Sequence, residues 1–272
     1  MENKYSYKNE PFKLSDAFKS NPLNIIGWYL VLYVFGVILA LAFVCLIVSK
    51  NNNISFAETF KIGLGTNSTP LYYEITGYSN LISYLTMFIV LIYVGRSYLK
   101  LDIKKFYENK DKNNIIINII LIVISALLFA LISYLANLAG TVILKKLNYF
   151  GTSSNENTIK NLIVYSNKIL MGIEIVILAP VVEELVYRKS IFELSKNMNK
   201  IIRIILCAIL FTLPHMISTQ NVTVAVWFVL FSIYFISGLL LALIYQLFNE
   251  NIYASLLAHS VNNLVAYIGY IK

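Results

Sequence analysis

The chain has 272 residues, 58% of them hydrophobic and 13% charged, against about a quarter charged in ordinary soluble domains. This composition excludes a water-soluble globular protein and points to a chain whose main solvent is lipid. A formal net charge of +8 would suit nucleic acid, but the lysines cluster in short stretches between apolar runs. Juxtamembrane cations explain them better, and no nucleic-acid partner is expected.

Segment 1–24 carries Lys4, Lys8, Lys13 and Lys19. The first charge-free apolar run, Ile25 to Val48, is near the roughly 20 residues that a helix needs to cross a hydrocarbon core. It is too long for a signal-peptide core and lacks a convincing cleavage boundary, so it reads as a retained anchor. Lys50 to Ser79 holds Gly63, Gly65, Asn67, Ser68 and Pro70, which predicts an external, turn-rich loop. A second run, Tyr78 to Gly95, precedes a basic stretch with Arg96, Lys100, Lys104, Lys105, Lys110 and Lys112. A third run spans Ile115 to Ile143, and the polar stretch Lys145 to Lys160 reads as another external loop. Leu162 to Val182 is a less clean run that carries Lys168 and Glu174. Three more runs follow, Ile204 to Ile217, Val224 to Phe248 and Ile252 to Ile271.

The positive-inside rule places segment 1–24, the basic stretch after the second run and Arg188 to Arg203 in the cytoplasm. The predicted fold is therefore all-α: a polytopic transmembrane helical bundle of about seven spans, or eight if the third run breaks near Asn137 or Gly140. It divides into a variable region of about three spans, 25–160, and a core, 161–272. Frequent Lys, Asn and Ile hint at an AT-rich bacterial genome, hence a multi-pass protein of a bacterial plasma membrane with lipid as its standing partner. Cys45 and Cys207 both fall in apolar runs and are expected as buried thiols rather than a disulfide.

Ionisable groups within a bilayer cost roughly 2.5 to 3.5 kcal/mol each, so they persist where they pair or work. Three clusters stand out in the last four runs: Glu183-Glu184-x-x-x-Arg188, Phe211-x-x-x-His215 and His259-x-x-x-Asn263, and they include both of the chain's histidines. Pro180 and Pro214 stand beside the first two. Proline in a membrane helix frees a backbone carbonyl and bends the axis, which is tolerated where neighbours or water satisfy the freed group; a hydrated pocket fits. If Val181 to Lys196 and Ile201 to His215 form a hairpin turning at Asn197 to Lys200, then Glu183 and His215 are equidistant from the turn and meet. His259 lies eight residues past a second turn at Asn249 to Asn251, ~12 Å against ~24 Å for the first pair. Tilts or a deeply set second turn must close that gap.

Helical phase puts Glu184 and Arg188 on one face, where they can pair, and Glu183 about 100° away, facing the pocket. His259 and Asn263 share a face, with Asn262 as the alternative amide. Taken singly, Glu184 with Arg188 reads as a structural ion pair, and His259 with Asn263 as interhelical glue; their coincidence is what favours a site. Glu174 falls nine residues before Glu183, on the opposite face of an unbroken helix unless Pro180 rotates it. It is expected to pair with Lys168 and is given no catalytic role.

Three motifs carry a resemblance. Ala179-Pro180-Val181-Val182-Glu183-Glu184-Leu185-Val186-Tyr187-Arg188 resembles the first motif of the CPBP family, the CAAX prenyl endopeptidases and bacteriocin-processing proteins also called Abi proteins. Phe211-Thr212-Leu213-Pro214-His215 resembles its second motif, and Ala254-Ser255-Leu256-Leu257-Ala258-His259-Ser260-Val261-Asn262-Asn263 its third. Lys189 stands where family members often have Gly, and Pro214 replaces a commoner small residue. The resemblance implies an intramembrane endopeptidase with Glu183 as general base, His215 as its partner and His259 with Asn263 on the oxyanion side. Glu184 with Arg188 would be the structural and electrostatic support.

Other intramembrane chemistries lack their motifs: there is no His-Glu-x-x-His, no Gly-x-Gly-Asp and no Gly-x-Ser-x-Gly. Cys207 lies two helical turns, ~12 Å, from His215, which disfavours a thiol–imidazole dyad. One Glu with two His is a known zinc set, so Glu183, His215 and His259 would be the ligands if zinc is present; a glutamate-activated water without metal fits equally well. The expected substrate is a membrane-associated peptide or protein. The eukaryotic preference for prenylated CAAX ends is not carried over, because bacteria generally lack such substrates. The competing expectation is a non-catalytic immunity or scaffolding protein that binds a pore-forming peptide. A transporter is disfavoured because no broken-helix pair recurs in two halves.

Overall fold

The computed structural model describes residues 14–65, 69–107, 112–151, 153–217, 219 and 221–271. Lys4, Lys8, Lys13 and Lys110 of the predicted basic stretches, and Asn67 and Ser68 of the first predicted loop, lie outside them. Among the described residues the regular structure is entirely helical. The helices are α1 (Pro22–Asn52), α2 (Phe56–Leu64), α3 (Pro70–Tyr107), α4 (Lys112–Lys146), α5 (Ser154–Tyr165), α6 (residues 168–194), α7 (Lys200–Met216), α8 (Val224–Leu247) and α9 (Ile252–Ile271). Four of them, α1, α3, α4 and α8, are long and apolar enough to cross a membrane, the pattern of a multi-pass membrane protein.

Both predicted external loops contain helix. Ser55 caps α2 by accepting the Glu58 N–H at 3.2 Å, and Ser153 caps α5 by accepting the Glu156 N–H at 3.1 Å; each is a Ser-x-x-Glu start. Pro70 is the first residue of α3, because Thr69 Oγ1 takes the Tyr72 N–H at 3.2 Å and proline suits a first turn whose N–H has no partner. Helix α3 therefore begins before the second apolar run and continues past it through the basic stretch to Tyr107. Gly63 marks close packing rather than a turn: a Cβ there would stand 2.6 Å from Leu41 Cδ1.

The third apolar run is unbroken, so its residues give no eighth span. Asn137 Nδ2 bonds the Ser133 carbonyl one turn back at 2.9 Å, and Gly140 lets Ile233 of α8 approach so closely that a Cβ would meet its Cδ1 at 2.5 Å. The run Leu162 to Val182 is the opposite case and divides between α5 and α6. Ser166 ends α5 in extended backbone, and Asn167 starts α6 by accepting the Leu170 N–H at 3.1 Å.

The hairpin between α6 and α7 turns as predicted, with Asn199 capping α7 through the Ile201 N–H at 2.9 Å. The second turn also falls where expected: Asn249 and Glu250 take positive φ, and the Glu250 N–H returns to the Tyr245 carbonyl at 2.9 Å. Val182, Leu185 and Phe192 of α6 pack with Cys207 of α7, Leu241 and Ala242 of α8 and Ala254 and Ala258 of α9 in one buried cluster. Cys45 and Cys207 are buried and free. Outward-facing residues of α4 such as Ile120, Leu127, Leu131 and Leu135 stay exposed, as a lipid-facing surface requires.

Candidate active site

Helix α6 is not a regular α-helix. Wide π turns occupy Glu174–Leu178 and Glu184–Ser190, separated by the α turn Ala179–Glu183; such insertions often sit at functional sites. In the first of them the Ala179 N–H bonds the Glu174 carbonyl, five residues back. The same pattern would give the Ile175 carbonyl to residue 180, but Pro180 has no N–H. Asn263 of α9 fills the vacancy, its Nδ2 donating to Ile175 O at 2.9 Å. The neighbour that proline requires is thus a residue predicted for the site, and one hydrogen of its amide is already engaged. The other remains for a ligand, and Asn262 beside it donates to Asn263 Oδ1 at 3.4 Å.

The second π turn holds the charged pair. Arg188 Nη1 lies 3.0 Å from Glu184 Oε1, both side chains fully buried. The approach is oblique and lacks hydrogen-bond alignment, so charge rather than a directed bond holds it. The guanidinium also donates from Nη2 to the Gly238 carbonyl at 3.3 Å and lies 4.5 Å from the centre of the Phe211 ring. Gly238 is required there: a Cβ would stand 2.9 Å from Phe211 Cδ1 and 3.1 Å from the Ala208 carbonyl oxygen.

A second contact of the same Glu184 oxygen sets the site. His259 Nδ1 is 2.9 Å from Glu184 Oε1, and its Nε2 is 3.6 Å from Glu183 Oε2. An ionised Glu184, paired with Arg188, can only accept, so Nδ1 carries the proton and donates. Glu183 faces away from the ion pair, as phase predicts, and lines a cavity of about 460 Å³ together with His215, His259 and Asn263.

The expected meeting of Glu183 with His215 is corrected. The two share the cavity, but among the described residues no hydrogen bond or ion pair joins them, and the imidazole nearest Glu183 is that of His259. His215 instead stacks on Tyr234, ring centres 4.8 Å apart and planes 5° from parallel, with Phe211 on another side at 5.0 Å. Tyr234 is tied in turn to Ser153, the cap of α5, by a 2.7 Å hydrogen bond. Hairpin arithmetic matches depth but not the azimuth of each side chain, which is set by these rings.

The depth mismatch of His259 has a definite resolution. The turn before α9 is held at two places: Glu250 Oε1 accepts from Arg203 Nη1 of α7 at 2.9 Å, and a second anchor stands against Lys189, well along α6. Lys189 Nζ reaches both carboxylate oxygens of Asp102 at 2.7 Å, and Asp102 Oδ2 accepts the Ile252 N–H at 3.0 Å. Asn251 Nδ2 adds a 2.9 Å bond to the Asp102 carbonyl. Six residues back from Lys189 is Glu183, and seven on from Ile252 is His259, so the two reach one level. The departure from the family pattern at Lys189 is therefore an anchor.

Glu174 also differs from expectation. The wide turn that follows it changes its phase, so it lines the same cavity as Glu183, with 6% of its surface exposed. Among the described residues no ion pair joins it to Lys168, which is exposed. Glu174, Tyr234 and Asp102 are the residues around the site to which sequence reasoning gave no part. Only Glu174, an acidic residue inside an apolar run, carried a visible signal.

For zinc, the sequence offers Glu183, His215 and His259. Among the described residues no group of three or more His, Cys, Asp or Glu side chains converges to hold a metal ion. Glu183 and His259 approach one another, but His215 does not complete the set, so these donors do not fit a metal in this arrangement.

A family model described as type II CAAX prenyl endopeptidase Rce1-like matches residues 165–265. That stretch, less than half of the chain, contains all three motifs. No curated protein and no solved structure matches the chain.

Proposed function

We propose, from the match of residues 165–265 to the Rce1-like CAAX prenyl endopeptidase model, that this chain is a CAAX-type intramembrane endopeptidase that hydrolyses a membrane-associated peptide or protein with a water activated by Glu183. The observation that supports this reading most strongly is the approach of Glu183 Oε2 to His259 Nε2, 3.6 Å, with the far nitrogen of the same ring held 2.9 Å from the buried Glu184. A water at the apex of a triangle on that 3.6 Å base, about 2.8 Å from each atom, makes two ordinary hydrogen bonds.

In this reading Glu183 takes a proton from the water as its oxygen attacks the scissile carbonyl carbon. The C=O pair moves onto oxygen, and the oxyanion is met by the free amide hydrogen of Asn263, while the unprotonated Nε2 of His259 accepts from the hydroxyl that the water has become. Collapse of the tetrahedral species breaks the C–N bond, and the proton held by Glu183 passes to the leaving amine. Arg188 and Glu184 keep His259 in one tautomer and orientation, the role of a buried orienting carboxylate. His215, on the same cavity wall, is the second imidazole available to the reacting water. An oxyanion donor in a dry site is worth about 2.7 to 4 kcal/mol.

The test is cleavage of a peptide library by purified protein in lipid nanodiscs, with Glu183→Gln and His259→Ala variants and with a chelator arm. Expected are loss of cleavage by at least a hundredfold in both variants at unchanged expression, with the thermal transition kept in Glu183→Gln, and no response to chelator. Undiminished cleavage in both variants rejects the assignment. Chelator-sensitive cleavage with stoichiometric bound metal rejects the metal-free route, and a wild-type protein that binds peptides without cutting them is a binding protein instead.

A further inference from the structure

The cavity that holds Glu183 contains a second carboxylate for which the hydrolytic reaction has no use. Glu174 is 6% exposed and lines this cavity, and its Oε2 has no hydrogen-bond partner among the described residues. An unsatisfied buried polar atom costs about 1 to 3 kcal/mol, more when charged, so in a membrane protein such a group is retained where something else meets it.

The surroundings narrow what that is. Three carboxylates line the cavity, and no lysine or arginine does, among the described residues. Of the three, Glu183 faces His259, and Glu156 is already paired with Lys160 at 2.8 Å. Among the described residues, Glu174 alone of the three has no cation beside it. Resting on the endopeptidase reading above, we infer that Glu174 selects the substrate, by pairing with a Lys or Arg side chain of the bound peptide.

The spacing gives the register. Glu174 and Glu183 are nine residues apart on α6, at most about 13.5 Å along the axis at 1.5 Å per residue. An extended peptide advances about 3.4 Å per residue, so the basic side chain stands about four residues from the bond that is cut. Apolar walls suit the rest of the peptide, and the stem of a Lys or Arg can lie along them while its head reaches the carboxylate.

The experiment uses full-length protein in nanodiscs and a set of apolar 20-residue peptides in which a single Lys, Gln or Glu is moved position by position. Cut sites are read by mass spectrometry, with the Glu183→Gln protein as blank. Expected are cuts with Lys at three to five residues from the scissile bond favoured at least tenfold over Gln. That preference disappears in Glu174→Gln, survives in Glu174→Asp and shifts to Glu-bearing peptides in Glu174→Lys. Cuts without a Lys preference, or a preference unchanged in Glu174→Gln, overturn the inference and leave the hydrolase reading standing. If the wild type makes no cuts above the blank, the hydrolase reading fails, and the inference is judged by anisotropy binding of fluorophore-labelled Lys and Gln peptides. Equal affinities overturn it, whereas tenfold tighter Lys binding that Glu174→Gln abolishes sustains a cation-selecting cavity without hydrolysis.

Discussion

Replacing Lys189 by Met isolates the anchor that sets the level of α9. Lys189 Nζ lies 2.7 Å from both oxygens of Asp102, with side-chain exposures of 7% and 0%. After the change the buried carboxylate keeps the Ile252 N–H at 3.0 Å and the ammonium of Lys105, 3.9 Å away on a side chain 43% exposed. Removing one partner of a buried pair costs about 3 to 5 kcal/mol because the other charge is left without compensation. Lys105 offsets part of this, which places the loss near 3 kcal/mol, about a hundredfold in the unfolding equilibrium. Adding Asp102→Asn removes the stranded charge while its side-chain oxygen can still accept the Ile252 N–H, so the double variant is expected to recover more than half of the loss. Unfolding in mixed micelles, followed by helical circular dichroism, measures both. Cleavage should follow stability, because a loosened turn lets His259 slip from Glu184. A single variant within 0.5 kcal/mol of wild type, or a double variant no better than the single, refutes the anchor.

Gly238→Ala places a Cβ 3.1 Å from the Ala208 carbonyl oxygen and 2.9 Å from Phe211; the backbone cannot yield, and a loss of about 1 to 3 kcal/mol is expected in the same unfolding assay, with displacement of Phe211 from Arg188. Asn263→Ala strands the Ile175 carbonyl at about 1 to 3 kcal/mol. In a Pro180→Ala background the restored N–H can take that carbonyl, so the double-mutant cycle should show Asn263→Ala costing at least 1 kcal/mol less there; additivity would contradict the proline-vacancy account.

Much of the site was legible because membrane burial makes each polar residue informative. Glu184 and Arg188 pair and Glu183 turns from them towards the cavity, as phase placed them, and His259 shares a face with Asn263, as spacing placed it; that His259 meets Glu183 and Glu184 was not legible, because spacing left it too shallow and matched Glu183 with His215 instead. The hairpin turns were legible from the polar residues Asn197 to Lys200 and Asn249 to Asn251. Two short helices could have been read and were not: Ser55-x-x-Glu58 and Ser153-x-x-Glu156 are capping boxes hidden in segments whose glycines and asparagines suggest loops. The pairing of Asp102 with Lys189 was not legible, since the two are far apart in sequence and each passes for a juxtamembrane charge. The same holds for Tyr234, one aromatic in an apolar run, whose stacking on His215 depends on how α7 and α8 cross. The phase of Glu174 needed the wide turns of α6, which no residue pattern specifies.

The mismatch between seven long helices among the described residues and four that satisfy a spanning criterion follows from where the chemistry sits. The apolar windows of α1, α3, α4 and α8 are only 22 to 33% buried within the protein, so their side chains face lipid and must be apolar. Helix α6 carries Glu174, Glu183, Glu184, Arg188 and Lys189, and α9 carries His259, Asn262 and Asn263, all directed inward, while α7 has 17 residues. Hydropathy measures contact with lipid; helices that turn polar groups towards one another lose that signal in proportion to the site they build. A count of apolar spans therefore undercounts helices in the carboxyl-terminal half of the chain, and the charges that spoil the count are the ones that pair, anchor and face the cavity.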